Sequence, residues 1–161
     1  MEAVRVGGND FNDEIIRYMR RNHNLALGND EIRSIVHDFM ELTVRREKMI
    51  TAHGQHTIQG VPKSSRIKHS MLLQNIERPI NSIIETIHKT LEQTPPDLLG
   101  DIISNGIVLT GGSAQLSGLD HYISKKLNVA TVVGQDPTLC AIKGAYYALT
   151  HAEDYKRALR E

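Results

Sequence analysis

A glycine pair placed directly behind an aliphatic run is the most chemically suggestive feature of the chain. The stretch Gly106-Ile107-Val108-Leu109-Thr110-Gly111-Gly112-Ser113-Ala114 opens as a continuous apolar run, which suits a fully buried parallel strand. Two residues without side chains then follow at the strand's carboxyl end, where ligands settle in open α/β folds. Backbone without Cβ atoms lets a flat or anionic ligand come close, and a helix starting just beyond offers it free N–H groups. The same bend also has a purely structural use, letting a strand pass tightly into a helix. The local residues leave both uses open.

Other candidate groups carry less. Of the eight histidines, His53 and His56 bracket the glycine of an expected turn. No third ligand stands at helix or finger spacing, so no metal is expected there. His37 and Asp38 read as a polar pair on a helix. Neither Ser113 nor Cys140 has a base partner identifiable in sequence, so nucleophilic hydrolysis is not expected. Cys140 is the lone cysteine. It cannot form an internal disulfide, which points to a reducing compartment.

The elements that must position the glycine pair follow from periodicity. Ala3 to Val6 reads as a short strand stopped by Gly7-Gly8, and Asn9 or Asp10 then caps a helix to about His23 with Phe11, Ile15, Ile16 and Met19 on one side. A second helix begins at Asn29 or Asp30 and carries Ile32, Ile35, Val36, Phe39 and Leu42. Between Arg45 and His69 short β-like runs alternate with turn residues (His53-Gly54-Gln55-His56 and Gly60-Val61-Pro62), which predicts a small meander. A long helical pattern follows from Leu72 to Leu91, with a kink or fresh start expected at Pro79. A short helix from Pro96 leads into the glycine-bearing strand. A helix through Leu116, Leu119, Ile123 and Leu127, a buried strand Val129 to Val133, and a helix opened by Asp136-Pro137 complete a right-handed parallel unit.

Composition bounds the function classes. The 161 residues fit one domain, or one with a small appendage, and 40% hydrophobic with 24% charged residues is ordinary for a folded protein. Nineteen basic and nineteen acidic residues cancel, and aromatics make up only 4%, so nucleic-acid binding is not expected. No apolar run approaches the roughly 20 residues that span a bilayer, and no signal-peptide core follows Met1, so a cytoplasmic domain is expected.

Several segments together resemble one family. Val4-Arg5-Val6-Gly7-Gly8-Asn9-Asp10-Phe11, Gly60-Val61-Pro62, Leu91-Glu92-Gln93-Thr94-Pro95-Pro96-Asp97-Leu98 and Gly106 to Ser113 look like the MreB-like bacterial actins in order and spacing. That family belongs to the actin-like ATPases, which share a ribonuclease H-like fold with sugar kinases and the heat-shock chaperone nucleotide domain. The resemblance implies an α/β half of that fold, with parallel sheet and helices, plus a small α+β outer subdomain. Residues 1–28 and 69–161 would form the inner subdomain of the second half, and residues 29–68 the outer one.

The resemblance also implies ATP or ADP as ligand, with Mg²⁺ only when the other half is present. By position the nucleoside-facing role falls to Gly111, Gly112, Ser113 and Ala114, and the other wall of the pocket to Arg33, Ser34, Val36 and His37. Relatives usually have a carboxylate and a lysine where this chain has Arg33 and Val36. The family's phosphate loops and metal-associated carboxylates are not among these residues, so the chain alone is expected to be catalytically inactive. Two functions are therefore expected. One is a piece of an ATP-dependent cytoskeletal filament protein serving rod cell shape and cell-wall synthesis. Its partners would be further subunits and membrane-anchored scaffold proteins. The other is a non-catalytic half-actin module that binds a filament or such a scaffold.

Overall fold

The computed structural model describes residues 2–36, 42 and 46–155. The expected strand at residues 3–6 is not formed: residues 2–6 adopt no regular element, and neither sheet among the described residues places a strand beside them. A strand without a neighbour has nothing to hydrogen-bond to.

The first helix, α1, spans Gly8–His23. The Gly7 N–H donates to the Asp10 carboxylate at 2.7 Å, tying the chain entering the helix to its first turn. Phe11, Ile15 and Met19, four residues apart, are its buried stripe. Asn24 ends it in the left-handed conformation, φ 49°, a position that asparagine tolerates better than most residues. Strand β1 (Leu25–Ala26) and helix α2 (Asn29–Ser34) follow. Ile32 in α2 and Ile35 just after it are buried, but the expected continuation through Phe39 falls mostly outside the described residues.

Strands β2 (Met49–His56) and β3 (Pro62–Lys68) form an antiparallel hairpin, and β1 joins its β2 edge. This sheet places one sequence expectation differently. His53-Gly54-Gln55-His56 lies within β2 rather than in a turn, and the turn falls at residues 57–60 instead. There the His56 ring accepts the N–H groups of Ile58 and Gln59, both at 3.2 Å. Gly54 is a glycine for proximity, since a Cβ there would sit 2.2 Å from the Ala26 carbonyl oxygen. The division expected at residue 28/29 runs just after β1, which pairs across it through Leu25↔His56 and Ala26↔Gln55.

Helix α3 runs unbroken from His69 to Glu92 across Pro79, so no fresh helix starts at the proline. Proline costs one hydrogen bond to the preceding turn. Ile76 and Ile80, buried on either side of it, hold the axis against the core. The Glu47 carboxylate accepts from the Ser70 amide at 3.1 Å and its hydroxyl at 2.7 Å, fastening the entry to α3. These bonds hold the Glu47 carboxyl below the usual carboxylate range.

Helix α4 (Pro96–Asn105) leads into β4 (Ile107–Leu109), which pairs in parallel with β5 (Thr131–Val133) across helix α5 (Leu119–Leu127). This is the strand, helix, strand order read from the sequence. The strands are not buried on both faces as expected: Val108 is 59% and Val132 54% exposed. The helix expected directly behind the glycines is divided into a tight 3-10 turn, Gly112–Gln115, and α5. Helix α6 (Cys140–Thr150) begins later than Asp136-Pro137. Asp136 takes φ 48°, and the Pro137 carbonyl turns back to accept the Gly111 N–H at 2.7 Å.

Candidate functional site

Three stretches distant in sequence meet around an open cleft of about 620 Å³. The first turns of α1 supply Gly8, Asn9, Phe11 and Asn12; the end of α2 and the residues after it supply Arg33, Ser34 and Val36; the glycine bend supplies Gly112, Ser113, Gln115 and Leu116. The structure thus brings together Arg33, Ser34, Val36, Gly112 and Ser113 of the residues singled out in sequence. Two others do not line the cleft. Gly111 shapes the bend from behind, and Ala114 is 4% exposed, packed beneath it. His37 lies outside the described residues.

The bend is set by its glycines and by the loop after β5. Gly111 takes φ 88° and ψ 175°, a conformation open essentially to glycine alone. Its N–H is held by Pro137, while the Gly134 N–H donates to the Leu109 carbonyl at 2.9 Å. Gly112 faces open space, with no atom within 4 Å of where its Cβ would stand. Opposite, Ser113 Oγ lies 3.7 Å and 3.8 Å from the positions that Cβ atoms on Gly7 and Gly8 would take. Two glycine pairs therefore face one another across the serine, each at the start of a helical turn whose first N–H groups lack partners within the helix.

Gly8, Asn9, Phe11, Asn12, Gln115 and Leu116 were not among the residues singled out. Their signal was present in Gly7-Gly8-Asn9, a second glycine pair before a helix. Sequence reading used it up as a cap. Only the tertiary approach of α1 to residue 113 shows that both pairs belong to one cleft.

The lining has a particular chemistry. Phe11, Val36 and Leu116 supply apolar surface; Asn9, Asn12 and Gln115 supply amides that both donate and accept. Among the described residues Arg33 is the one charged lining residue. It reaches Asp30 at 3.8 Å with both side chains solvent-facing, a pairing of little strength. Among the described residues no carboxylate, histidine or cysteine stands in the lining. A polar recess bordered by Asn9, Asn12, Asp13, Asn29 and Arg33 adjoins it. Among the described residues no cluster of three or more His, Cys, Asp or Glu is arranged to hold a metal, and no helix is long and apolar enough to cross a membrane.

A separate cluster joins the end of α1 to β3. His23 Nδ1 lies 2.7 Å from Ser65 Oγ and its Nε2 3.3 Å from the Tyr18 hydroxyl. The Lys63 ammonium donates to the His23 carbonyl. Burial, then the nearby Lys63 charge, pushes the His23 imidazole below its ordinary pKa. Burial raises the Tyr18 phenol.

Known proteins with related sequence and structure bear on this arrangement. The cell shape-determining protein MreB of Escherichia coli K12 is 33% identical over 148 residues, covering 91% of this chain and 43% of that protein. The crystal structure of MreB 5 of Spiroplasma citri bound to AMPPNP superposes with a TM-score of 0.84 at 26% identity over 96% of this chain and 47% of that one. The MamK double helical filament shares the fold, with a TM-score of 0.63 at 18% identity over 81% of this chain and 40% of that one. The chain thus spans less than half the length of these relatives. Residues 1–157 match the MreB/Mbl protein family as a whole, and with an actin-like architecture to accompany that match, this chain belongs to the MreB/Mbl family of actin-like proteins.

Proposed function

We propose that the cleft between α1, the end of α2 and the glycine bend is one wall of a nucleotide site, and that the chain alone does not hydrolyse what it binds. The convergence of two glycine pairs on an open, partly apolar cleft carries this reading. Gly112, Ser113 and the first turn of α1 present backbone N–H groups suited to an anionic phosphate or ribose-phosphate edge. Phe11, Val36 and Leu116 offer the apolar sides that a flat base requires. The structure of MreB 5 with AMPPNP supports the choice of ligand class. ATP or ADP is the nucleotide expected by family likeness, and Mg²⁺ would be held by residues outside this chain. Gly111 and Ala114 act by shaping the bend.

The wider role we infer is that of a cell-shape filament protein. Residues 29–68 would form its small outer subdomain and part of the contact between successive subunits. The remaining residues would form an inner subdomain beside the nucleotide. Head-to-tail contacts that do not close generate filaments, and the partners would be other subunits and membrane-anchored scaffold proteins in the cytoplasm.

Ligand-observed NMR titration of the chain with ATP tests the cleft. Weak binding, in the millimolar range, is expected, without phosphate release. Gly112→Val places two methyl groups where nothing now stands and is expected to remove binding while the protein unfolds at the same denaturant concentration. Tight binding with turnover would overturn the incomplete site; undiminished binding by the valine variant would overturn its location.

A further inference from the structure

We propose that Asn105-Gly106, where α4 ends and the glycine-bearing strand begins, is a site of spontaneous deamidation, and that its isoaspartate product loosens β4 from β5.

This junction is the one place in the chain where an asparagine precedes a glycine; none of the eight other asparagines does. Glycine has no Cβ, so nothing on its own side shields its amide nitrogen. Asn105 is exposed. In the reaction the Gly106 nitrogen attacks Cγ of Asn105, and the new C–N bond closes a succinimide ring. The side-chain amide nitrogen leaves as ammonia, taking the proton that the Gly106 nitrogen gives up. Water then opens the ring at either carbonyl. One opening gives aspartate. The other gives isoaspartate, in which the main chain runs through the former side chain and is longer by a methylene. Water is the sole co-reactant, and nothing is oxidised or reduced.

Two hydrogen bonds restrain this reaction while the end of α4 is closed. The Gly106 N–H donates to the Ile102 carbonyl at 2.8 Å, and the Asn105 side-chain amide donates to the Asp101 carbonyl at 2.9 Å. Both acceptors belong to α4 itself, so fraying of a single turn frees the attacking nitrogen and the carbon it attacks together. Since α4 buries no residue, tertiary packing adds little to the hold of that turn.

The product arises where the backbone has least room. A Cβ on Gly106 would stand 2.5 Å from the Ala130 carbonyl oxygen, and the Ile107 N–H donates to that same oxygen at 2.7 Å. Strand β4 then pairs through Ile107↔Thr131, Val108↔Val132 and Leu109↔Val133 alone. A methylene added to the main chain just ahead of this short ladder displaces Ile107 from Ala130 first. Aspartate, the other product, keeps the chain length and adds a negative charge at the carboxyl end of α4.

Ageing the 161-residue chain in mildly alkaline buffer, followed by peptide mapping with mass spectrometry, reads the reaction as the mass gain of an amide becoming an acid. Fragmentation of the peptide distinguishes isoaspartate from aspartate. Asn105 is expected to convert before every other asparagine, and faster as the pH is raised, because the deprotonated amide nitrogen is the nucleophile. Amide hydrogen exchange at Ile107 to Leu109 should be quicker in the aged chain than in the fresh one, with β2 and β3 unchanged. Asn105→Gln, at an exposed position, resists ring closure and should age without that quickening. Fresh Asn105→Asp, which carries the charge without the longer backbone, should exchange at β4 as the fresh unaltered chain does. An intact Asn105 while another asparagine converts overturns the site. Conversion with unchanged exchange at β4, equal quickening in aged Asn105→Gln, or quickening in fresh Asn105→Asp overturns the role of isoaspartate in loosening the strand.

Discussion

The two sides of this molecule are packed to very different standards. Around α1, the three-stranded sheet and α3, a continuous core gathers Phe11, Ile15, Met19, Leu25, Ile50, Ile67, Leu72 and Ile76, all at most 2% exposed. On the other side, α4 and α6 bury no residue. There Ile103, Ile142, Tyr146 and Leu149 are each 65% exposed or more. A helix that is apolar nearly all round belongs inside a larger core, yet here α6 carries a single charged residue, Lys143, and faces water. The lesson is that the packed side contains its own stability, while the side bearing β4, β5 and α6 displays surface whose composition suits contact with further polypeptide.

The difference is open to direct attack. In chemical denaturation, Ile76→Ala is expected to cost about 2–5 kcal/mol, the range for emptying a close-packed aliphatic site. Ile142→Ala on α6 should change stability by no more than about 0.5 kcal/mol. A loss of comparable size at Ile142 would show that α6 contributes to the same core and would dissolve the contrast.

Glycines sharpen it next. Gly54→Ala forces a methyl group against the Ala26 carbonyl oxygen on the packed side and should cost about 1–3 kcal/mol. Gly112→Ala meets nothing within 4 Å and should leave the denaturation midpoint where it is.

A smaller effect concerns acidity. His23 has a lowered pKa in the folded chain, so just below its ordinary value of 6.5 the unfolded chain holds a proton that the folded chain does not. Stability therefore rises with pH across that interval. The contribution is complete above the ordinary pKa and is lost as the solution is acidified through it. Hydrogen exchange at α1 and β3 should quicken on passing from pH 7.5 to below 6.5, with α6 indifferent, and His23→Gln should flatten the response. Smallest of all, Asp30→Asn should move stability by less than about 0.5 kcal/mol, because the pair it breaks is solvent-exposed.

Sequence reading reached the packed side through local rules. The four-residue stripe of α1, the helical recurrence in α3 and the strand, helix, strand order around Gly111-Gly112 each announce themselves within a short window. It failed where a residue's reason lies elsewhere in the chain. Gly54 looks like a turn residue until β1 is seen lying against it. Asp136-Pro137 looks like a helix start until the Pro137 carbonyl is seen serving Gly111. The exposed faces of Val108 and Val132 could not be told from buried ones, because an apolar strand reads the same whether or not its cover is part of the chain. The same distinction governs the cleft. Gly112 and Ser113 stood out in the local motif and Arg33, Ser34 and Val36 through likeness to a family, whereas Asn9, Asn12 and Gln115 became visible only when α1 met the bend.

The pair of amides that join Gly111 to Pro137 and Gly134 to Leu109 has a mechanical consequence. They fasten the rear of the bend to the approach of α6, so a shift of that helix is expected to pull on the strap and reach Gly112 and Ser113. Slower amide exchange at Gly111 whenever α6 is shielded would be the sign that tension passes between them.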